Sequence, residues 1–165
     1  MFQVPAAVAL AVIGATPAMS EIPSPALIGV QRVVIACESV SGLTASERAA
    51  FCGQLVKKAA ALTALPVSLA SAEDLNRADL ARQSKQLLLR VDASAAAAAQ
   101  GRKTVEVAVT PVRTAVRMAP RAPVKSNVSF VKVGPDWMIQ GPIEGFIEQL
   151  GSGPRTLRRP IRADR

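Results

Sequence analysis

The sequence predicts an α+β sandwich, a mixed β-sheet with two or three helices packed on it in the order β-α-β-α-β-β-β-α. Three observations lead there. The run IGVQRVVIAC and the alternating QLLLRVDAS have strand character. Between them lie a capped helix, a short strand pattern and a second helix opening, and after them a run of strands and a closing helix. Apolar residues make up 50% of the chain but aromatics only 3%, so the core must be built from Val, Leu, Ile and Ala.

The elements follow in order. Residues 1–20 read as a secretory signal peptide: Val4 to Ile13 is an apolar run broken by Pro5, and Ala18 and Ser20 are small residues at −3 and −1 of a cut before Glu21. No Lys or Arg precedes the run, a departure from the usual pattern. The run is shorter than the ~20 residues a membrane span needs. The expected location is therefore periplasmic or secreted. Residues 21–151 are read as one domain, a size that suits a single core, with an extended lead-in at 21–25. Ile28 to Cys37 is the first strand, apolar on both faces, hence central and covered by a helix on at least one side. Ser39 to Leu43 is expected as a loop.

Thr44-Ala45-Ser46-Glu47 is a capping box, opening a helix to about Thr63. Phe51, Cys52, Leu55, Val56, Ala59 and Leu62 mark its buried stripe. Val67 to Ala70 is a short strand. Ser71 opens a second helix to about Gln83, with Glu73 and Asp74 placed at its start by the dipole. In residues 86–94, Leu87, Leu89, Val91 and Ala93 share one face, Arg90 and Asp92 the other. Ala95 to Ala99 leads to a hairpin tip at Gln100-Gly101-Arg102. Lys103 to Arg117 is a long strand, in which the inward parity moves from Val109 to Val112 at Pro111 and suggests a bulge. Residues 118–127 form a basic loop, Val128 to Val133 a strand, and Trp137 to Gln140 a short return. Pro142 suits the first position of a helix striped by Ile143, Phe146, Ile147 and Leu150 and ended by Gly151. Glu144 and Glu148 fall on its solvated side. Residues 152–165 are a basic tail expected to be disordered.

Composition limits the chemistry. Histidine is absent, which removes Ser-His-Asp, Cys-His and His-ligated metal sites. No phosphate loop, dinucleotide fingerprint or nucleophile elbow is present, and no cofactor or metal site is expected. Cys37 and Cys52 are the only cysteines. In an oxidising compartment they favour a disulfide closing a 15-residue loop. Two free thiols or a redox pair are the alternatives, and the spacing is not CxxC. Glu38, at the end of the first strand, makes a candidate pocket rim with Ser39 and Ser41, because sites in such sheets form at strand carboxyl ends.

Net charge is +8 and unevenly placed. Residues 21–100 carry eight basic and seven acidic side chains, residues 101–165 twelve and five. Arg113, Arg117, Arg121 and Lys125, with Arg155, Arg158, Arg159 and Arg162 of the tail, are the candidate anion-binding residues. Such a surface attracts an acidic envelope protein or an anionic membrane surface. Scarce aromatics and export argue against nucleic acid.

The succession VQRVVIACESV, capped helix, VSLA, helix, QLLLRVDAS and TVEVAV resembles a small βαβαββ periplasmic domain, as in the amino-terminal domain of TolB and the penicillin-binding-protein activator lipoproteins. The resemblance covers roughly residues 28–117 and carries no functional motif. The chain lacks the activators' lipidation cysteine and TolB's propeller. What the resemblance implies is a non-enzymatic accessory role in the cell envelope. The leading expectation is thus an exported binding domain with an anionic partner. A small enzyme with a carboxylate or serine site near Glu38 is the alternative, and a nucleic-acid-binding module the second.

Overall fold

The computed structural model describes residues 25–75, 84–97, 101–113 and 121–151. The predicted signal peptide at 1–20 and tail at 152–165 lie outside them. After a 3-10 turn at Pro25–Leu27, the elements are β1 (Arg32–Ser41), α1 (Ala45–Ala60), β2 (Val67–Leu69), α2 (Ala72–Leu75), β3 (Gln86–Ala97), β4 (Arg102–Val112), β5 (Val124–Val133), β6 (Asp136–Gln140) and α3 (Glu144–Leu150). This is the expected α+β class: one mixed six-stranded sheet, ordered β2-β1-β3-β4-β5-β6, with helices packed on it. β1 runs parallel to β2 and β3, and every later neighbour is antiparallel.

The capping box forms as read. Glu47 N–H donates to Thr44 Oγ1 at 3.3 Å, and Thr44 N–H donates to Glu47 Oε2 at 2.8 Å. Two orphan donors of the first turn are satisfied reciprocally. α1 packs against β6, β2 and β1, and α3 against β4 and β5. Between helices and sheet lie Val33, Ile35, Leu87, Leu89, Val91, Val105, Val107, Val109 and Phe130, all fully buried, against Phe51, Leu55 and Phe146. The few aromatics among the described residues gather in this layer. Phe51 meets Phe130 edge-on at 5.3 Å between centroids, and Phe130 stacks on Trp137 at 4.7 Å. Gly145 lets α3 approach the sheet closely, since a Cβ there would overlap the Val109 side chain.

The opposite face is divided. At one end Val34, Ala36 and Leu88 form a second buried cluster with Ala70 and Val112. Arg32 closes this end, donating to Asp74 of α2 and, at 2.6 Å, to Gln86 Oε1. β1 therefore reads as an unbroken buried run, Val33 to Ala36, because both its faces are covered. At the other end the same face is polar and exposed.

Several expectations need correction. The first strand begins at Arg32, and Ile28 stands exposed at 66%. It continues through the expected loop to Ser41, because a register shift between Cys37 and Ser39 leaves Glu38 as an extra residue and returns Val40 to the core. No such shift occurs at Pro111: Leu89 faces Pro111 and Leu88 faces Val112 in regular register. Val112 changed apparent parity because it packs into the second cluster, not because the strand bulges. Ala95 to Ala97 extend β3, paired with Val105, Thr104 and Lys103. α3 begins after Pro142, with Ile143 at its N-cap and no side-chain cap. The short return expected at Trp137 to Gln140 forms as β6, one strand more than the five written in the element order.

Candidate functional site

The bulge in β1 shapes the polar end of the sheet. Across the strands, Ser39 lies beside Asp92, Asp92 beside Ala108 and Ala108 beside Lys125. One row on, Ser41, Ser94, Glu106 and Asn127 are neighbours. Residues in register share a face, so these side chains converge over an open hollow of about 500 Å³. Its lining includes Glu38, Ser39, Ser41, Asp92, Glu106 and Lys125, with Arg48 reaching in from α1. The predicted rim of Glu38, Ser39 and Ser41 is thus brought together, and it meets Asp92.

Two cations in this region already have partners. Arg90 Nε lies 3.5 Å from Glu38 Oε1, and Lys125 Nζ lies 2.9 Å from Glu106 Oε1. Ser41 donates to the Ala93 carbonyl at 3.4 Å. Asp92 and Arg48 are exposed, and neither makes an ion pair among the described residues. Gly42, at φ +73°, turns the end of β1 into α1 where a Cβ would strike the Ala95 carbonyl oxygen. The Cys37–Cys52 disulfide ties the strand to the helix, with Cα atoms 6.4 Å apart. Cys52 lies one turn beyond Arg48 on α1, and Cys37 directly precedes Glu38. The bond therefore fixes the helix that carries Arg48 against the strand that carries Glu38.

Of the predicted anion-binding residues, Arg113, Arg121 and Lys125 lie among the described residues. Arg113 donates to the Ile28 carbonyl at 2.8 Å and so pins the entry to β1. Lys125 is paired with Glu106, and Arg121 is exposed. Arg117, Arg155, Arg158, Arg159 and Arg162 lie outside the described residues. Arg102 and Lys132 are further exposed cations of the second half. Among the described residues, no group of three or more metal-ligating side chains is placed to hold an ion, and no helix is long and apolar enough to cross a membrane.

Two carboxylates are held below their ordinary range. The hydrogen bond from Lys103, at 2.7 Å, does most to lower Glu47, helped by the Thr44 main chain and hydroxyl against the opposing effect of burial. Burial pushes Asp74 up, but hydrogen bonds from the Ser71 amide and hydroxyl and from Arg32 outweigh it and leave the carboxyl lowered. Both groups are structural. Asp74, expected merely to complement a helix dipole, joins α2 to β1 and is 5% exposed.

A second hollow, of about 410 Å³, lies between α1 and β6. It is lined by Ala50, Gly53, Gln54, Lys57, Asp136, Trp137 and Met138. Sequence reasoning gave Trp137 no role. The signal for it was available: Gly53 sits in the interior of α1, where glycine costs about 1 kcal/mol relative to alanine. A Cβ there would meet nothing within 4 Å. Neither backbone conformation nor close packing demands this glycine, and its absent side chain leaves the hollow open.

No family model matches the sequence, and no curated protein matches it. Among solved structures, the chain is similar to the PelC dodecamer from Paraburkholderia phytofirmans, at 15% identity and a TM-score of 0.49, over 78% of this chain and 93% of that one. It is similar also to a singly substituted form of that dodecamer, at 14% identity and a TM-score of 0.46, over 78% and 94% of the two chains.

Proposed function

We propose that this chain is an exported accessory domain that binds an anionic partner in the cell envelope, an acidic protein or the membrane surface, and catalyses no reaction of its own. The observation that carries the reading is the placement of charge: the excess lies in residues 101–165, where twelve basic residues face five acidic ones. Of these, Arg102, Arg121 and Lys132 stand exposed on the folded domain. The sheet acts as a rigid scaffold, and the exposed cations steer association through long-range attraction. The resemblance of residues 28–117 to the TolB amino-terminal domain and the activator lipoproteins supports the same accessory role.

The test is retention of the purified mature protein on envelope fractions across a salt series. Retention should fall steeply as salt rises, because exposed charges are screened beyond ~10 Å at 0.1 M. Removing residues 152–165 and substituting Arg121→Ala should weaken it further. Retention indifferent to salt would overturn the reading. Vesicles with and without anionic lipid separate a membrane surface from an acidic protein.

One observation favours a second reading, a small enzyme. The hollow joins Glu38 to Asp92 and to the hydroxyls of Ser39 and Ser41, and two carboxylates flanking one cavity are the arrangement acid–base hydrolysis uses. Against it, Glu38 is paired with Arg90 and stands in solvent. Turnover of a chromogenic glycoside or ester that is lost in Asp92→Asn but kept in Asn127→Ala would favour the enzyme.

A further inference from the structure

We infer that the outer edge of β6 is a docking site for an extended segment of a partner protein, rich in acidic and apolar residues, which adds a strand to the sheet and seats an apolar side chain against Trp137. The inference deepens the proposed function and rests on its reading of the partner as anionic.

The sheet ends in two edges, and they are built differently. At one end β2 is three residues long and pairs only with Val33, Val34 and Ile35 of β1; beyond it the exposed part of β1 carries the bulge at Glu38. Short strands and bulges are devices that stop an edge from pairing. At the other end β6, Asp136–Gln140, pairs with β5 on one side and with no strand on the other among the described residues. Its sequence, DWMIQ, has no lysine, no proline and no bulge. Met138 is 46% exposed, and Val133, across the turn, 49%.

The hollow beside this edge supplies what bare strand pairing lacks. Added strands gain affinity from main-chain hydrogen bonds and specificity from pockets that take alternate side chains. The aromatic row Phe51, Phe130, Trp137 runs toward the edge beneath α1, each ring packed on the next. Trp137 is half-buried and also lines the hollow, with Ala50 and Gly53 of α1 as small neighbours. A strand placed outside β6 would project its helix-side residue into this space and continue the row. Lys57 lines the hollow, Lys132 lies opposite Trp137 in register, and both are exposed. Asp136 is the one acid lining it among the described residues, so this part of the rim carries a net positive charge. It complements glutamates or aspartates on either side of the seated residue.

Trp137 is the only tryptophan and the chain has no tyrosine, so its emission reports the site directly. The probe is a synthetic ten-residue peptide alternating glutamate with valine, with one central phenylalanine, titrated into the mature protein. Trp137 emission should move to shorter wavelength and saturate. Gly53→Leu, which fills the hollow, and Met138→Glu, which puts a repelling charge on the edge, should each weaken binding about tenfold or more. Circular dichroism should show both variants folded, since Gly53 has open space around it and Met138 faces solvent. An unmoved emission, equal binding by wild type and both variants, or equal binding of a lysine-for-glutamate peptide would overturn the inference. So would sedimentation showing that the protein alone dimerises through this edge and that Met138→Glu abolishes the dimer. Salt-sensitive envelope retention that survives both variants would overturn this site while leaving the anionic-partner reading intact. Salt-insensitive retention would overturn that reading instead.

Discussion

The parallel and antiparallel halves of the sheet bury their residues differently. In β1 and β3 four consecutive residues are buried, Val33 to Ala36 and Gln86 to Leu89, because helices and connecting chain cover both faces there. In β4 and β5 burial alternates: Val105, Val107 and Val109 point to the core while Thr104, Glu106 and Thr110 point away. A strand with two dry faces is committed to the core at every position. A strand with one wet face has every second position free, and the polar hollow and the docking edge both lie in or beside the wet part.

The largest expected effect tests this contrast directly. Leu88 and Leu89 are adjacent, face opposite sides and are both buried. Leu88→Ala and Leu89→Ala should each lower stability by about 2–5 kcal/mol in urea unfolding. In β4 the corresponding neighbours should diverge, with Val107→Ala clearly destabilising and Glu106→Ala within about 1 kcal/mol. A Leu88→Ala cost below 1 kcal/mol would mean that the second face is not a core layer. Next in size is the Cys37–Cys52 bond, which spans the boundary between β1 and α1. Replacing both cysteines by alanine should cost about 3 kcal/mol in the chain-entropy account of a 15-residue loop, measured against the oxidised wild type.

The sequence patterns that announced the two halves were unequal in strength. The alternation of QLLLRVDAS and TVEVAV made their strands and faces legible, as did the Thr44 capping box. The pairing of the two cysteines was legible because the strand and helix carrying them were both recognisable. What stayed hidden depended on tertiary neighbours. The extra residue at Glu38 has no local signature, so the second part of β1 passed for a loop. Val112 imitated a bulge because its partner cluster, Val34, Ala36 and Leu88, is contributed by other strands. The rim at Glu38, Ser39 and Ser41 could be guessed from its place at a strand end. That it shares one hollow with Glu106 and Lys125 required knowing that β4 and β5 follow β3 in the sheet.

The closure of the doubly covered half should respond to pH. Asp74 has its carboxyl lowered in the folded state, so it contributes stability above the ordinary aspartate value near 3.9, and that contribution disappears as pH falls through the folded value. Asp74→Asn should cost about 1–3 kcal/mol at pH 7, since it leaves Arg32 without its anion. The gap between wild type and variant should close on acidification. A gap that stays constant from pH 7 down to pH 2 would assign the loss to packing rather than to charge.

The smallest effect belongs to the wet half and is informative for that reason. Lys125 and Glu106 form a diagonal pair across β4 and β5, with side chains 63% and 52% exposed. In high dielectric such a pair contributes about 0–1 kcal/mol, and salt screens what there is. A double-mutant cycle of Lys125→Ala and Glu106→Ala should therefore give a coupling under about 1 kcal/mol that fades by 1 M salt. A larger coupling, persisting in salt, would mean that the hollow is drier than an open sheet face allows. It would also raise the standing of its carboxylates as chemical groups, because only a water-excluded site strengthens charge interactions to that degree. A negligible coupling leaves this face as solvated scaffold, on which Glu106 and Lys125 can each be replaced without disturbing the strands beneath.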